Sequence, residues 1–125
     1  MPDRSRLVIA VDFDGTVVDH CYPYVGKDVP LAVETLLKLQ EAGCRIILWT
    51  MRSGVFLQDA IDWFVDKGIS LYGIQKNPTQ QEWTDSPKAY AHIYIDDAAY
   101  GCPLIDLPDF SRVCVDWKHI SKNLL

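Results

Sequence analysis

The sequence has no apolar run near the roughly 20 residues that a membrane-spanning helix needs. Its opening residues, Met1-Pro2-Asp3-Arg4-Ser5-Arg6, contain no hydrophobic stretch of the signal-peptide kind. Membrane association and export are set aside on that ground, and a cytoplasmic protein is expected. The four cysteines, Cys21, Cys44, Cys102 and Cys114, form no C-x-x-C pair, and no histidine stands at zinc-ligand spacing from them. Neither a zinc site nor a redox dithiol is signalled; Cys44 and Cys114, in or beside apolar runs, read as core thiols. Positive charge is scarce: 12 Lys and Arg against 17 Asp and Glu leave a formal net charge of −5. Such a chain repels phosphate backbones at long range, so no nucleic-acid partner is expected, although a local cationic pocket stays open. Repeats, low-complexity segments and linkers are absent too. With 125 residues there is no room for a second domain, and residues 1–125 are expected to form one.

At 49% hydrophobic and 23% charged residues, the composition supports a packed core and excludes a disordered chain. Continuous β-prone apolar runs alternate with stretches of helical period, which is the pattern of a parallel sheet covered on both faces. The first run is Leu7 to Val11. A helix from about Pro30 to Ala42 follows, with Val29, Ala32, Val33, Leu36 and Leu37 at helical spacing, Pro30 in its first turn and Gly43 at its end. The second strand spans Arg45 to Thr50. The next helix, about Gly54 to Lys67, carries the apolar stripe Leu57, Ala60, Ile61 and Phe64, with Ser53 as its cap and Gly68 as its stop. A third strand, Leu71 to Gln75, leads through a polar loop to a short helix at Pro87 to Ala91. Strand four is Ile93 to Asp96, strand five Val113 to Val115, and a short tail helix closes the chain. The expected fold is α/β: a Rossmann-like three-layer sandwich around a mostly parallel five-stranded sheet.

Ligands of such sheets bind beyond the carboxyl ends of the strands, where strand order reverses. Strand one ends on Asp12, strand two on Thr50 and strand four on Asp96-Asp97, while Lys88 opens the helix that returns to the same edge. Clustered carboxylates there repel one another unless a cation neutralises them, and Mg²⁺ with oxygen ligands is the economical partner of a phosphate site. A neutralised Asp12 can act as a nucleophile, and Asp14 can protonate a leaving group and then take a proton from water. Gly15 permits a sharp exit from the strand, and the Thr16 hydroxyl can fix that turn; both face the substrate end of the strand. Thr50 can donate to a phosphate oxygen, and the N–H groups at Ser53-Gly54 can add donors. Lys88 in a first helical turn opposes the macrodipole, a position better suited to holding phosphate than to helix stability. Arg52 is an optional substrate contact or a solvated side chain. His20, His92 and His119 lack partners at ligand spacing and read as surface or packing residues, whereas Tyr22 and Trp83, in loops near this edge, are candidates to line a pocket.

Asp12-Phe13-Asp14-Gly15-Thr16, the apolar strand ending at Thr50, Lys88, and Ile95-Asp96-Asp97 resemble, in order, the four motifs of the haloacid dehalogenase-like (HAD) phosphohydrolases. The resemblance spans residues 7 to 97. It implies that Asp12 is nucleophile and metal ligand, that Asp14 is acid/base with its backbone carbonyl on Mg²⁺, and that Thr50 and Lys88 clamp phosphate. Asp96 and Asp97 would complete the metal site, Asp97 directly and Asp96 through water or by orientation. The family usually carries a cap domain, but no cap-sized insertion separates these motifs, so a capless member is implied, with residues 20–26 as a short flap. An uncapped site is open to a phosphorylated small molecule or macromolecule, or is shielded by a neighbouring copy in a homo-oligomer. Three activities fit: a phosphatase acting through an aspartyl-phosphate, a phosphotransferase, and a non-catalytic phospho-ligand module. A response-regulator receiver is excluded, because its acceptor Asp closes a later strand.

Overall fold

A computed structural model of the chain describes residues 7–125; the reading of the first six residues lies outside them. Four short strands, β1 (Val8–Val11), β2 (Arg45–Leu48), β3 (Leu71–Ile74) and β4 (Ile93–Ile95), form a parallel sheet in the order β3-β2-β1-β4. The chain walks from β1 outward to β2 and β3, then returns to place β4 on the other side of β1. Strand order therefore reverses between β1 and β4, and a crevice opens at their carboxyl ends.

The same walk decides what covers each face. Right-handed crossovers taken in one direction put their connections on one face, and the return crossover puts its connection on the other. Helices α1 (Ala32–Glu41) and α2 (Gly54–Asp66) belong to the outward walk, and the tail helix α3 (Trp117–Leu124) joins them. Their buried residues Leu36, Leu39, Phe64, Trp117 and Ile120 pack with Ile9, Val11, Ile46, Leu48 and Ile95 in the main core. The alternate strand residues Val8, Ala10 and Ile47 pack with Ala91 and the half-buried Trp49, Tyr72 and Tyr94 in a second, smaller core. This is the period-2 alternation of a sheet covered on both sides.

On the second face the expected helix at Pro87 to Ala91 does not form. The β3–β4 connection contains one 3₁₀ turn (Gln80–Glu82) and is otherwise irregular. Side chains take the place of helical hydrogen bonds: buried Gln80 donates to the carbonyls of Ser86 and Lys88 and accepts from the Tyr90 N–H, while Asn77 donates to the Tyr90 carbonyl. Strand five is also corrected. Cys114–Val115 (β6) pairs antiparallel with Leu104–Ile105 (β5) in a separate ribbon, so the main sheet has four strands, not five. Val113-Cys114-Val115 was too short a run to identify its partner, and the partner lies in a segment with few β-formers.

Helix bounds fall close to expectation. Gly43 and Gly68, at φ 98° and 80°, end α1 and α2 in the left-handed region that favours glycine. Ser53 precedes α2 without a capping hydrogen bond from its side chain. Pro30 lies outside α1, whose N-cap is Leu31. No cap-sized insertion interrupts the sheet, and among the described residues no helix is long and apolar enough to cross a membrane.

Gln80→Ala deletes three hydrogen bonds to the loop backbone at once. A loss of about 1–2 kcal/mol is expected, since part of that backbone can turn to water instead. Urea unfolding measures the loss, and hydrogen exchange should quicken at Tyr90 while the β1 amides stay protected.

Candidate functional site

Asp12 follows β1, Thr50 follows β2, and Asp96-Asp97 follow β4, so three strand ends converge on the crevice where strand order reverses. A cavity of about 710 Å³ opens there; Asp12, Asp14, Thr50 and Asp97 line it, with Tyr22 and the almost fully exposed Met51 toward its rim. That volume is within the range of small-ligand sites and far exceeds one phosphate group.

Asp12, Asp96 and Asp97 each offer an oxygen within 4.8 Å of the others'. Burial and the neighbouring charge of Asp96, with a hydrogen bond that the protonated Asp12 donates to Asp97, push the Asp12 carboxyl from 3.8 up to about 8. A group with that surplus of negative charge can recover its ionised form by gaining a cation. The donors are all hard oxygens, so the set fits Mg²⁺ and does not fit a thiolate- or imidazole-seeking metal.

Thr16 is fully buried and does more than fix a turn. Its hydroxyl donates to Asp12 Oδ2 (3.1 Å) and accepts from the Asp97 N–H (3.2 Å), tying the two strand ends together. Trp117 Nε1 of α3 donates to the Thr16 carbonyl at 2.6 Å. Gly15 is required on two counts: it adopts φ 83°, and a Cβ there would fall 2.1 Å from His20 Nε2 and 2.4 Å from Asp97 Oδ2. Thr50 accepts the Arg52 N–H on its hydroxyl, and Gln75 brackets it through both the N–H and the carbonyl of Thr50.

Arg52 has no donor left for a substrate. Its Nε and one terminal nitrogen grip Asp14 bidentately at 2.8 and 2.7 Å, and its remaining N–H groups go to the carbonyls of Pro23, Tyr24 and Phe56. All five guanidinium donors are thus used in a side chain that is only 2% exposed. Hydrogen bonding to Asp14 raises the guanidinium pKa still further. Arg52 therefore joins the flap to Asp14. Asp14 stands apart from the three-carboxylate cluster, with each of its oxygens accepting from Arg52.

Lys88 does not enter the cavity. It is exposed in the irregular connection with its ammonium 5.1 Å from the Tyr94 ring centroid, beside Trp83 and Tyr90 in a separate hollow. Its expected placement depended on a helix that Gln80 replaces with a looped backbone. The N–H groups at Ser53-Gly54 likewise lie outside the cavity lining. Two residues not expected in the site are there: His20, whose Nε2 is 2.9 Å from Asp97 Oδ2, and Arg112 behind it. His20 directly follows the motif-bearing loop, a positional hint. Nothing local in the sequence pointed to Arg112, which is 92 residues away from its partner.

A solved structure, described as that of a conserved protein coded by a locus of Bacteroides thetaiotaomicron, matches this one with a TM-score of 0.77 and 38% sequence identity, over 94% of this chain and 88% of that one. No protein-family model and no curated protein matches the chain.

Two outcomes follow from the charges. Arg52→Met strands Asp14 and three carbonyls, with an expected loss of about 3 kcal/mol in urea unfolding; Asp14 keeps some access to water, which places the loss at the low end for a broken buried pair. Removing Asp14 as well should recover part of it. The raised Asp12 pKa means that the folded chain binds a proton the unfolded chain has released between pH 3.8 and about 8. Stability of the metal-free protein therefore falls as pH climbs through that window. Asp12→Asn removes the fall, so its melting temperature should exceed that of the wild type by a margin that widens toward pH 8.

Proposed function

We propose, for a chain that belongs to the same family as the conserved Bacteroides thetaiotaomicron protein, a Mg²⁺-dependent phosphatase of the haloacid dehalogenase-like kind, acting on a phosphomonoester. One observation carries the reading: Asp12, Asp96 and Asp97 converge at the reversal of strand order with the Asp12 carboxyl pushed up to about 8. A site that stores unneutralised acid beside an open cavity suits a hard cation and the phosphate it accompanies. Asp12, Asp96 and Asp97, with the Asp14 carbonyl, would hold Mg²⁺, which supplies the positive charge that lets an anionic nucleophile approach an anionic ester.

The chain's own groups divide the remaining work. An Asp12 oxygen attacks phosphorus, the bond to the leaving oxygen breaks, and a proton from Asp14 converts that oxygen to an alcohol. Water then attacks the aspartyl-phosphate, Asp14 takes its proton, and phosphate leaves with Asp12 restored. Both Asp14 oxygens accept hydrogen bonds from Arg52, an arrangement that suits the second half of this cycle. Donation in the first half requires one of its oxygens to leave the guanidinium. Thr50, at the end of β2, offers its hydroxyl to a phosphate oxygen in the same cavity. The cavity is several times the size of a phosphate, which leaves space for a leaving group as large as a sugar or nucleoside.

Purified protein with Mg²⁺ should hydrolyse p-nitrophenyl phosphate or another member of a phosphomonoester panel. Asp12→Asn should abolish turnover and preserve the far-ultraviolet circular dichroism spectrum. Full activity in Asp12→Asn would assign the nucleophile elsewhere, and inactivity of the wild type across the panel, with no phosphate analogue trapped on Asp12, would overturn the enzyme reading.

A further inference from the structure

The orientation of His20 is legible from its two neighbours. Nδ1 lies 2.7 Å from a terminal nitrogen of Arg112, and Nε2 lies 2.9 Å from Asp97 Oδ2. A guanidinium has five N–H donors and no acceptor. Nδ1 must therefore present its lone pair to Arg112, and the ring proton resides on Nε2, aimed at Asp97. The result is a directed chain, with Arg112 donating to His20 and His20 donating to Asp97.

Contacts from Asp19, Gly15 and Thr16 hold this chain in place. Buried Asp19 accepts the Ser111 N–H on both its oxygens, at 3.1 and 2.9 Å, which fixes the segment carrying Arg112 against the start of the flap. The same Asp19 accepts the N–H of His20 at 2.8 Å. Burial alone would raise the Asp19 pKa, but these hydrogen bonds outweigh it and hold the carboxyl below its ordinary range. Gly15 leaves the space that the His20 ring and the Asp97 carboxylate share, and Thr16 accepts the Asp97 N–H. The backbone and one carboxylate oxygen of Asp97 are both engaged. Rotating its carboxylate costs a hydrogen bond, so its remaining lone pairs face one way.

We infer that His20 and Arg112 are positioning residues for Asp97, and that their relay sets how tightly the three-carboxylate cluster takes up a divalent cation. This rests on the reading of that cluster as a Mg²⁺ centre. Hydrogen-bonded partners of metal-ligating groups orient them, and removing such partners costs about 10–100-fold in metal affinity. The position requires an N–H directed at Asp97, not bulk. A glutamine at position 20 can supply that N–H, and a phenylalanine cannot.

Calorimetric titration of Mn²⁺ into the metal-free full chain tests the inference. Relative to wild type, His20→Phe should bind about 10–100-fold more weakly, His20→Gln should recover most of the loss, and Arg112→Met should fall between them, because the His20 ring is then free to turn. Circular dichroism checks that each variant is folded. The ¹⁵N shifts of the His20 ring in the labelled wild type should report a proton on Nε2 and a bare Nδ1. Wild-type affinity in His20→Phe, or a ring proton on Nδ1, would overturn the relay while leaving the metal reading intact. A wild-type chain that takes up no Mn²⁺ would overturn the metal reading and the effect inferred from it, and the ring shifts would then show whether the hydrogen-bond chain itself exists.

Discussion

Four carboxylates crowded at one edge of a four-stranded sheet repel one another, and much of the surrounding structure contains that repulsion. Asp14 is neutralised by a guanidinium that spends every donor it has. Asp97 receives an N–H from His20, and Asp12 receives a hydroxyl from Thr16. What remains is concentrated on Asp12 and its two neighbours, and burial magnifies it. Holding these carboxyl groups together costs folding stability, and carboxylates perturbed in this way mark a candidate functional site.

The parallel sheet, its strands and the convergence of Asp12, Thr50, Asp96 and Asp97 were legible because each rests on local pattern. Apolar runs end in polar residues, and the strand-end rule needs only element order. The failures share a cause as well. Lys88 was assigned through a helix that local propensity allowed and Gln80 overrode with long-range hydrogen bonds. Val113 to Val115 looks like any short strand, and its partner is fixed by tertiary structure. Arg52 was ambiguous because its role depends on carbonyls of the flap, and flap geometry has no periodicity to read. His20 and Arg112 meet across most of the chain, so neither had a partner at any recognisable spacing.

The two faces of the sheet are unequal in a way that bears on the site. One carries three helices and most of the core. The other carries an irregular connection and a shelf of aromatics, Trp49, Tyr72 and Tyr94, that are half-buried. A second hollow, lined by Trp49, Thr50 and Gln75, reaches Asp12 and Asp96 from that side. The Asp12 carboxylate is therefore approached from two directions. Arg52 closes neither, because its contacts pull the flap toward Asp14 and leave the Met51 rim open.

The bond from Trp117 to the Thr16 carbonyl, with the neighbouring bond from the Val115 N–H to the Gly15 carbonyl, ties the last helix to the first loop. On a ribosome, the segment bearing Asp12 emerges early, whereas the groups that fasten it arrive about a hundred residues later. Until then Thr16 has no anchor from α3, and the strand ends it joins lack their final geometry. Synthesis thus imposes an order: the sheet can assemble first, and the carboxylate cluster is fastened only once α3 has emerged.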